Sequence, residues 1–512
     1  MLKALHEKFK CEGTVCVFIL FYIVIASYKL SLPGLHYDEV FYTNAALGSI
    51  DDNFVYFKIG AFPVMIMDYI GALKAWVYGS IFKFFGVSPL SIRFPNILIT
   101  AVSLWLLYLV TKRLFEKKIA RLTVFLLSVD PTFIILTRLD FGPVVLAFLI
   151  RVLMMYFFIL FLKKKKGKYL IIASLLSALG IFNKLDFVWF VNAMILGSLI
   201  VYRKRYLIFW NKRKPYVKTI FLAIIATFTI TVGYAFMKTG YYKTIDFFYW
   251  SHFTRILKDT GNLIDGSLFF ISHFGNTSDL QGQLWQSGEI YNAIFWAIIF
   301  FQIVRTISVK DNNKKHATIF MVLLAMLIYW QIIVTSLAGA SWHLFTLYPF
   351  LTILFAKGLS HMWQEKRSRW IAVILLGFIL IRSISIYSQY LRSFEKPKSI
   401  FWSPAIYELI KFTKQTDARF VAVDWGIHNA LQTYDHKKDK YFDMWTTFIK
   451  DPADLTLSDS ETYYILYPQK DASFKQPRKS FFTRAKQNKI NMTKIKEIRY
   501  KNETIFELYK AK

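Results

Sequence analysis

Long apolar runs, separated by short polar connections, dominate the first 390 residues of the chain. Each run has about 17–25 residues, the length that an α-helix needs to cross a lipid bilayer. The pattern therefore predicts an α-helical polytopic membrane protein with about eleven transmembrane helices. The predicted spans are 13–32, 92–111, 119–137, 142–162, 169–183, 186–202, 217–237, 290–308, 317–337, 344–360 and 370–388.

Basic residues are concentrated in alternate connections between these runs. The clusters lie in the N-terminus and in 112–121, 163–168, 203–218, 305–315 and 357–369. The positive-inside rule places such connections in the cytoplasm. We therefore expect a multi-pass protein of the cell membrane, with a cytoplasmic N-terminus that resembles an uncleaved signal anchor. An odd number of spans then makes the C-terminal residues extracytoplasmic.

Composition and charge exclude other classes of protein. The chain has 512 residues, 64 Lys and Arg against 33 Asp and Glu, and a formal net charge of +31. Because the basic residues lie between apolar runs, the charge indicates membrane topology, and no nucleic-acid partner is predicted. The two cysteines, Cys11 and Cys16, offer neither a disulfide framework nor metal-ligand spacing.

The sequence pattern changes after residue 389, so two domains are predicted: 1–389, a transmembrane module, and 390–512, a small extracytoplasmic α/β domain. The predicted elements of the second domain are a helix at Pro404–Thr416, strands at Phe420–Val423 and Thr462–Tyr467, and a hairpin of Met492–Tyr500 and Thr504–Tyr509 around Lys501-Asn502.

The first outer loop, 33–91, is unusually apolar for a connection. Asp51-Asp52-Asn53 marks a turn, and Ala61–Phe85 is then apolar and aromatic, interrupted by Asp68, Lys74 and Lys83. This pattern predicts one or two interfacial helices. The alternative, that 61–84 crosses the membrane, would reverse the orientation of every later span.

Charged residues at the outer ends of the spans are the candidate functional residues, because a charge at the bilayer centre costs about 2.5–3.5 kcal/mol on insertion scales. The candidates are Asp38-Glu39, Arg138 with Asp140, Lys184 with Asp186, and His343. A carboxylate there can take a proton from a hydroxyl, and Arg or Lys can hold a phosphate leaving group. The alternative for Arg138–Asp140 and Lys184–Asp186 is an ion pair that caps a short turn.

Five short motifs follow one another in a familiar order. They are Asp38-Glu39-Val40-Phe41-Tyr42, Phe62-Pro63-Val64-Met65, Ser91-Ile92-Arg93-Phe94-Pro95, Thr137-Arg138-Leu139-Asp140-Phe141-Gly142-Pro143, and Leu179–Lys184. This order resembles the GT-C superfamily of integral membrane glycosyltransferases, in the branch of protein O-mannosyltransferases and lipid A aminoarabinose transferases. The resemblance covers about residues 10–390 in architecture. Ala61-Phe62-Pro63 stands where that branch has His-Pro-Pro, and the C-terminal residues lack MIR-type repeats, which leaves the sugar and the acceptor open.

The resemblance implies a hexosyl or pentosyl transferase of the inverting type. Its donor would be a polyprenyl-phosphate sugar, and its acceptor a glycan, lipid or protein on the extracytoplasmic face. Asp38 would be the catalytic base, and Glu39 would orient the acceptor or Asp38. Arg138, Lys184 and Lys58 would bind the donor phosphate, while Asp140 and His343 would orient the acceptor or the phosphate. No metal is predicted for the chemistry, and a divalent cation stays an alternative.

Two other classes of protein fit part of the pattern. A transporter or flippase of a lipid-linked anion would use the same Arg and Lys, but the later spans carry few charges along which such a substrate could move. A non-catalytic membrane scaffold would keep the fold alone. The joint presence of Asp38, Arg138, Asp140 and Lys184 favours the enzyme.

Overall fold

The computed structural model of the chain describes residues 2–35, 37–48, 57–60, 62–211, 233, 237–238, 240, 245, 250–267, 278–308, 311–335, 338, 341–395, 403–435, 440–445, 461–470, 472 and 474–512. The chain divides into two compact units. The helical unit comprises Met1–Tyr28, Asp68–Gly71 and Pro95–Tyr387, and the mixed unit comprises Lys29–Met67, Ala72–Phe94 and Ser388–Lys512. Most of the predicted first outer loop thus belongs to the same unit as the C-terminal residues, and the domain boundary near residue 389 stays a prediction.

Helices make up most of the described chain. They are α1 (Leu2–Ser27), α2 (Tyr37–Leu47), α3 (Leu73–Phe85), α4 (Pro89–Leu114), α5 (Lys117–Val129), α6 (Pro131–Leu139), α7 (Val144–Lys164), α8 (Gly167–Asn183), α9 (Val188–Asn211), α10 (Trp250–Asp265), α11 (Ser278–Ile307), α12 (Asn312–Val334), α13 (Ser341–Leu344), α14 (Tyr348–Gln364), α15 (Arg369–Phe394), α16 (Ala405–Gln415), α17 (Ile427–Tyr434) and α18 (Lys475–Gln487). The strands are β1 (Phe57–Ile59), β2 (Phe62–Met67), β3 (Ile70–Gly71), β4 (Arg419–Ala422), β5 (Tyr441–Asp443), β6 (Thr462–Leu466), β7 (Met492–Tyr500) and β8 (Glu503–Ala511).

Within the described residues, six helices are long and apolar enough to cross a membrane. They lie at Pro89–Leu114, Val144–Lys164, Leu185–Ile208, Gly288–Ile307, Asn312–Val334 and Arg369–Phe394. The bent pair α5 and α6 would make a seventh span. The predicted class, a helical protein with many membrane spans, is confirmed. The number of eleven stays a prediction, and the predicted span 217–237 lies almost wholly outside the described residues.

One predicted span is broken in the middle. The single helix predicted at 119–137 is wrong, because α5 ends at Val129, α6 begins at Pro131, and the two helices are bent by 68°. Pro131 lacks the N–H that a continuous helix needs, but it fits the first turn of a new helix. The Asp130 carboxylate caps that turn by accepting a hydrogen bond from the Phe133 N–H at 2.7 Å.

Polar contacts connect the six basic connections of the helical unit to one another. Lys112 pairs with Glu12 at 2.8 Å, Lys163 donates to the Arg113 carbonyl at 2.8 Å, Lys314 pairs with Glu116 at 2.6 Å, Arg205 donates to Asn313 at 2.8 Å, and Arg305 pairs with Glu365. Such contacts are expected when alternate connections lie on one side of a membrane.

The predicted first outer loop, 33–91, is only partly helical within the described residues. Helices α2 and α3 lie in it, but β1 (Phe57–Ile59) and β2 (Phe62–Met67) pair as antiparallel strands, although interfacial helix was predicted from residue 61 onward. Gly60 adopts a φ of 61° in the turn, a value that glycine reaches without strain. Pro63 also disfavours helix, since it has no N–H to donate.

The C-terminal residues form the predicted α/β fold. The five-stranded sheet has the order β5-β4-β6-β8-β7, with β4 parallel to β5 and β6 and the last pair antiparallel. Helices α16 and α17 pack on one face, and α18 covers the other. The predicted helix, both strands and the hairpin are present within two residues of their expected bounds. Lys501 and Asn502 both have positive φ, as a two-residue hairpin turn requires.

Candidate functional site

The adjacent acids Asp38 and Glu39 lie in the first turn of α2. Glu39 is 1% exposed and is held by Arg93, near the start of α4. The Arg93 Nε donates to Oε1 at 2.5 Å, and Nη2 donates to Oε2 at 2.8 Å. Such a two-pronged pair fixes both groups in orientation. Glu39 is therefore a positioning residue for the start of α2, and its predicted role toward the acceptor or Asp38 stays a prediction.

Arg93 also fixes the chain that leads into α2. Its side chain is fully buried, and Nη1 donates to the carbonyl oxygens of Leu30 at 2.7 Å and Pro33 at 2.8 Å. The guanidinium thus satisfies the Glu39 carboxylate and two backbone acceptors together. The sequence shows the motif that contains Arg93, but it does not predict that Arg93 pairs with Glu39, 54 residues earlier in the chain.

Arg138 and Asp140 support the turn between α6 and α7. Arg138 is fully buried, and its Nη1 donates to the Tyr28 carbonyl at 2.8 Å and contacts the Tyr387 hydroxyl at 3.3 Å. Asp140 ends α6 with a φ of 50°, and its Oδ1 accepts from the Val145 N–H at 2.9 Å. These contacts give both residues a positioning role, while their predicted contacts with donor or acceptor stay predictions.

Lys184 and Asp186 form the ion pair that was the alternative interpretation of this turn. Lys184 follows the last residue of α8, and its ammonium lies 3.0 Å from Asp186 Oδ2 in a buried setting. The close approach of this turn to α8 depends on Gly180, because a Cβ there would lie 2.4 Å from the Phe187 ring. Asp186 Oδ1 is buried and has no hydrogen-bond partner among the described residues.

His343 lies at the same ion pair, with Nε2 3.8 Å from Asp186 Oδ2 and its ring packed edge-on against Trp189. Burial, helped by the Lys184 ammonium, lowers the pKa of His343 to about 3, although Asp186 opposes the shift. The ring is therefore neutral at physiological pH. Its Nδ1 is buried without a hydrogen-bond partner in the described part of the chain, so a neutral donor or acceptor faces this cluster.

Arg151 completes this group of charges and was missed by the sequence analysis. It lies inside α7, is 3% exposed, and its guanidinium lies 5.2 Å from the centroid of the Phe187 ring. Asp186 interacts with it electrostatically, but its Nε has no hydrogen-bond partner among the described residues. The sequence did contain a signal for it. An arginine within an otherwise apolar span is energetically costly, so its presence indicates a functional site. We call Arg151, Lys184, Asp186 and His343 the outer cluster, after the predicted outer turn that contains Lys184 and Asp186.

Two lysines of the mixed unit complete the inventory of candidates. Lys58 lies on β1 opposite Pro63, so it belongs to the β1–β2 hairpin and not to a helix. Its side chain is half-buried. Lys74 on α3 is buried, with its ammonium 4.8 Å from the ring centroid of Tyr42 and 5.5 Å from that of Tyr78. Lys74 was noted only as an interruption of the apolar run.

The described residues contain no group of three or more His, Cys, Asp or Glu side chains that could hold a metal ion. The outer cluster itself supplies two cations, one carboxylate and one neutral imidazole. Two cations against one carboxylate leave a positive balance in a setting with little water. That balance suits a phosphate oxygen better than a metal ion.

Comparisons with known proteins give one family match and several structural matches. The family model of dolichyl-phosphate-mannose-protein mannosyltransferase matches residues 72–232. ArnT from Cupriavidus metallidurans bound to undecaprenyl phosphate superposes with a TM-score of 0.55 at 12% identity, over 98% of each chain. The Archaeoglobus fulgidus oligosaccharyltransferase in its apo form gives a TM-score of 0.54 at 11% identity, over 91% of this chain and 70% of that one. A comparison with curated protein sequences finds no match.

A third solved structure is also similar in fold to this chain. The archaeal oligosaccharyltransferase AglB, in complex with an inhibitory peptide and a dolichol-phosphate, gives a TM-score of 0.54 at 10% identity over 90% of this chain and 70% of that one. At such identities the structural matches show the fold, and the family match adds sequence evidence over 72–232. The predicted resemblance is confirmed: in fold and in family match, this chain is similar to the GT-C membrane glycosyltransferases, including the branch of ArnT.

Proposed function

We propose that the protein transfers a sugar from a polyprenyl-phosphate donor to an acceptor hydroxyl or other nucleophile, with inversion at the anomeric carbon. The observation that carries the proposal is the outer cluster, where buried cations and unsatisfied polar atoms surround one carboxylate. Fully buried charges normally complete their hydrogen bonds within the protein. A phosphate oxygen would accept a hydrogen bond from the Arg151 Nε and balance its charge, whereas Asp186 Oδ1 is itself an acceptor and would need a donor.

The proposed reaction is a single displacement. The acceptor oxygen forms a bond to the anomeric carbon while the bond from that carbon to the phosphate oxygen breaks. The proton of the acceptor passes to the catalytic base, and the polyprenyl phosphate leaves with the bonding electrons. Arg151 and Lys184 would stabilise the charge that develops on the leaving phosphate, the kind of electrostatic help that contributes most to such steps.

We propose Asp38 as the base. Of the two adjacent acids in α2, Glu39 already accepts two hydrogen bonds from Arg93, so proton transfer at Glu39 would break a buried ion pair. The side chain of Asp38 lies outside the described residues, so Asp38 is proposed on its place beside Glu39 in the first turn of α2. Glu39 and Arg93 would then fix the helix on which Asp38 lies.

The other predicted contacts are ranked by these observations. Lys184 and Arg151 come first for the donor phosphate, and neutral His343 would add one hydrogen bond to it or to the sugar. Arg138, Asp140 and Lys58 rank lower, since each has a positioning contact of its own or lies on the β1–β2 hairpin. No metal-assisted step is proposed, and chelation by EDTA tests the alternative of a divalent cation.

We propose that the basic connections face the cytoplasm and that the C-terminal α/β fold is extracytoplasmic. The support is the set of contacts that joins the six basic connections, since the positive-inside rule acts on short loops of this kind. The acceptor would then be met on the extracytoplasmic face. Labelling of single cysteines introduced at Lys366 and at Lys512, in intact cells, tests the assignment.

The testing experiment uses the purified protein in nanodiscs with a panel of polyprenyl-phosphate sugars. Donor binding and sugar release are measured for wild type and for Asp38→Asn, with hydrolysis by water as the readout where no acceptor is known. We expect one donor to turn over, and Asp38→Asn to lower its turnover at least about 10²-fold while binding persists. Glu39→Asp is the matched carboxylate variant.

Other outcomes would assign the protein to another class. Scrambling of a lipid-linked anion between leaflets, without sugar release, would favour a transporter or flippase. Binding without turnover in both wild type and variant would favour a non-catalytic scaffold. Failure to bind any polyprenyl-phosphate sugar would contradict the proposal as a whole.

A further inference from the structure

A second cluster of charges lines a cavity in the helical unit. The cavity has a volume of about 390 Å³ and lies where three basic connections meet. Its apolar lining is Phe115 and Ile119, and its polar lining comprises Glu116, Arg305, Ser308, Asp311, Lys314, Lys357 and His361. The residues come from the ends of α4, α5, α11, α12 and α14, all within the helical unit.

Lys357 is the central feature of this cavity. It is 3% exposed, donates a hydrogen bond to the Thr318 hydroxyl, and lies 5.0 Å from the centroid of the Phe115 ring. No carboxylate lies within ion-pairing distance of its ammonium in the part of the chain that the structure describes. A buried ammonium held by one hydroxyl and one aromatic ring lacks the anion that such a group ordinarily needs.

The two acids that line the cavity already have partners of their own. Glu116 pairs with Lys314 at 2.6 Å, and Asp311 caps α12 by accepting from the Asn313 N–H at 2.9 Å. Arg305 pairs with Glu365 at the mouth. His361 presents a buried Nδ1 that has no hydrogen-bond partner among the described residues. The cavity thus offers donors in excess of acceptors.

The surroundings indicate an amphiphilic ligand. Phe115 and Ile119 supply an apolar wall inside the cavity. On α11, the apolar side chains of Phe300, Val304 and Ile307 are exposed beside Arg305, as on a helix that faces lipid. An acyl chain could lie along that surface while its headgroup enters the cavity.

We propose that this cavity binds a phosphate-ester anion, with the Lys357 ammonium as its central contact and Arg305 and Lys314 at the mouth. Basic pockets between membrane helices on the cytoplasmic side are known to take phospholipid headgroups. The same chemistry could come from an anionic phospholipid or from a soluble phosphate ester. In either case the ligand would connect the ends of α5, α11, α12 and α14. The proposal does not depend on the transferase function.

The test measures thermal unfolding of the full chain in detergent micelles with three probes: phosphatidylglycerol, phosphatidylcholine and glycerol phosphate. The variants are Lys357→Met and Arg305→Gln. Lys366→Met is the matched control, since Lys366 lies in the same connection, is exposed, and does not line the cavity. Arg305 lies at the end of a helix, so Arg305→Gln carries the test if Lys357→Met does not fold.

Phosphatidylglycerol is expected to raise the unfolding temperature of wild type and Lys366→Met, and to bind Lys357→Met about tenfold or more weakly. That result supports a lipid source. The same pattern with glycerol phosphate, at equal strength, supports a soluble source. The proposal is overturned if neither anion stabilises wild type, or if Lys357→Met and Arg305→Gln respond like Lys366→Met.

Discussion

Two buried clusters of charge differ in how many of their hydrogen-bond donors and acceptors have partners within the protein. In the mixed unit, Arg93 uses Nε, Nη1 and Nη2 as donors, and both oxygens of Glu39 accept. In the outer cluster of the helical unit, Lys184 pairs with one oxygen of Asp186, and the other oxygen has no partner in the described residues. Arg151 Nε and His343 Nδ1 are also buried without a hydrogen-bond partner among the described residues.

The difference separates positioning from binding. Burying an ion pair costs desolvation free energy. The attraction between the charges offsets that cost only when their remaining donors and acceptors are also hydrogen-bonded. The Glu39–Arg93 pair meets that condition and fixes backbone. The outer cluster does not meet it by itself, which is expected where a ligand completes the hydrogen bonds.

The largest expected effect is on stability, from Arg93→Met. Removal of the guanidinium leaves the Glu39 carboxylate buried without its partner, which costs about 3–5 kcal/mol in the free energy of unfolding. The measurement is the unfolding temperature and the yield of folded protein in detergent. The double variant Glu39→Leu with Arg93→Met should recover most of the loss, because it removes both charges. Normal stability of the single variant would contradict the positioning role.

Lys184→Met is expected to destabilise less than Arg93→Met. Asp186 would lose its nearest cation but would keep the electrostatic interaction with Arg151, so we expect a loss of about 1–2 kcal/mol. Asp186→Asn in the same chain should restore stability. Equal losses for Lys184→Met and Arg93→Met, measured by chemical unfolding under the same conditions, would show that the two clusters are energetically alike.

His343 should make stability depend on pH. Because the folded pKa is lowered to about 3 from 6.5, the unfolded chain binds the proton first, and stability is lost as pH falls below about 6.5. Between about pH 7.5 and pH 5 the loss is about 2 kcal/mol. His343→Gln should remove this loss in a thermal-unfolding series. An unchanged pH profile in the variant would mean that His343 is not neutral in the folded protein.

The smallest expected effect has the opposite sign and lies in the C-terminal sheet. Burial raises the pKa of Asp424 to about 6, although its carboxylate accepts from the Tyr467 N–H at 2.7 Å. A raised folded pKa means that stability is lost as pH rises through about 4 to 6, by about 1 kcal/mol between pH 5 and pH 6. Asp424→Asn keeps an acceptor for Tyr467 and should flatten this slope. A steeper slope in the variant would contradict the assignment.

Sequence patterns predicted the elements whose signals are local. Helix α7 follows an apolar run that was placed at 142–162, and the hairpin turn at Lys501-Asn502 has the residue types that positive φ favours. The break at Asp130-Pro131 was missed because the apolar run continues through it. The hairpin at Phe57–Met67 was missed because its apolar residues fit a helix equally well.

The candidate residues were predicted by type, but their partners could not be. Nothing local relates Glu39 to Arg93, which lie 54 residues apart, and only the folded chain shows that the first is held by the second. Arg151 lies inside a predicted span, away from the turns in which the candidate charges were expected. Its position inside an apolar run was itself a signal of function.

Titration of undecaprenyl phosphate into wild type and Arg151→Met tests whether the outer cluster binds the donor phosphate. Arg151 makes no hydrogen bond in the described structure, so its loss should change the unfolding free energy of the lipid-free protein by less than about 1 kcal/mol. The affinity for the lipid phosphate should fall tenfold or more, because a charge-assisted contact contributes about 1.5–3 kcal/mol. Arg369→Met, at an exposed helix end, is the control. A large loss of stability with unchanged affinity would contradict the claim.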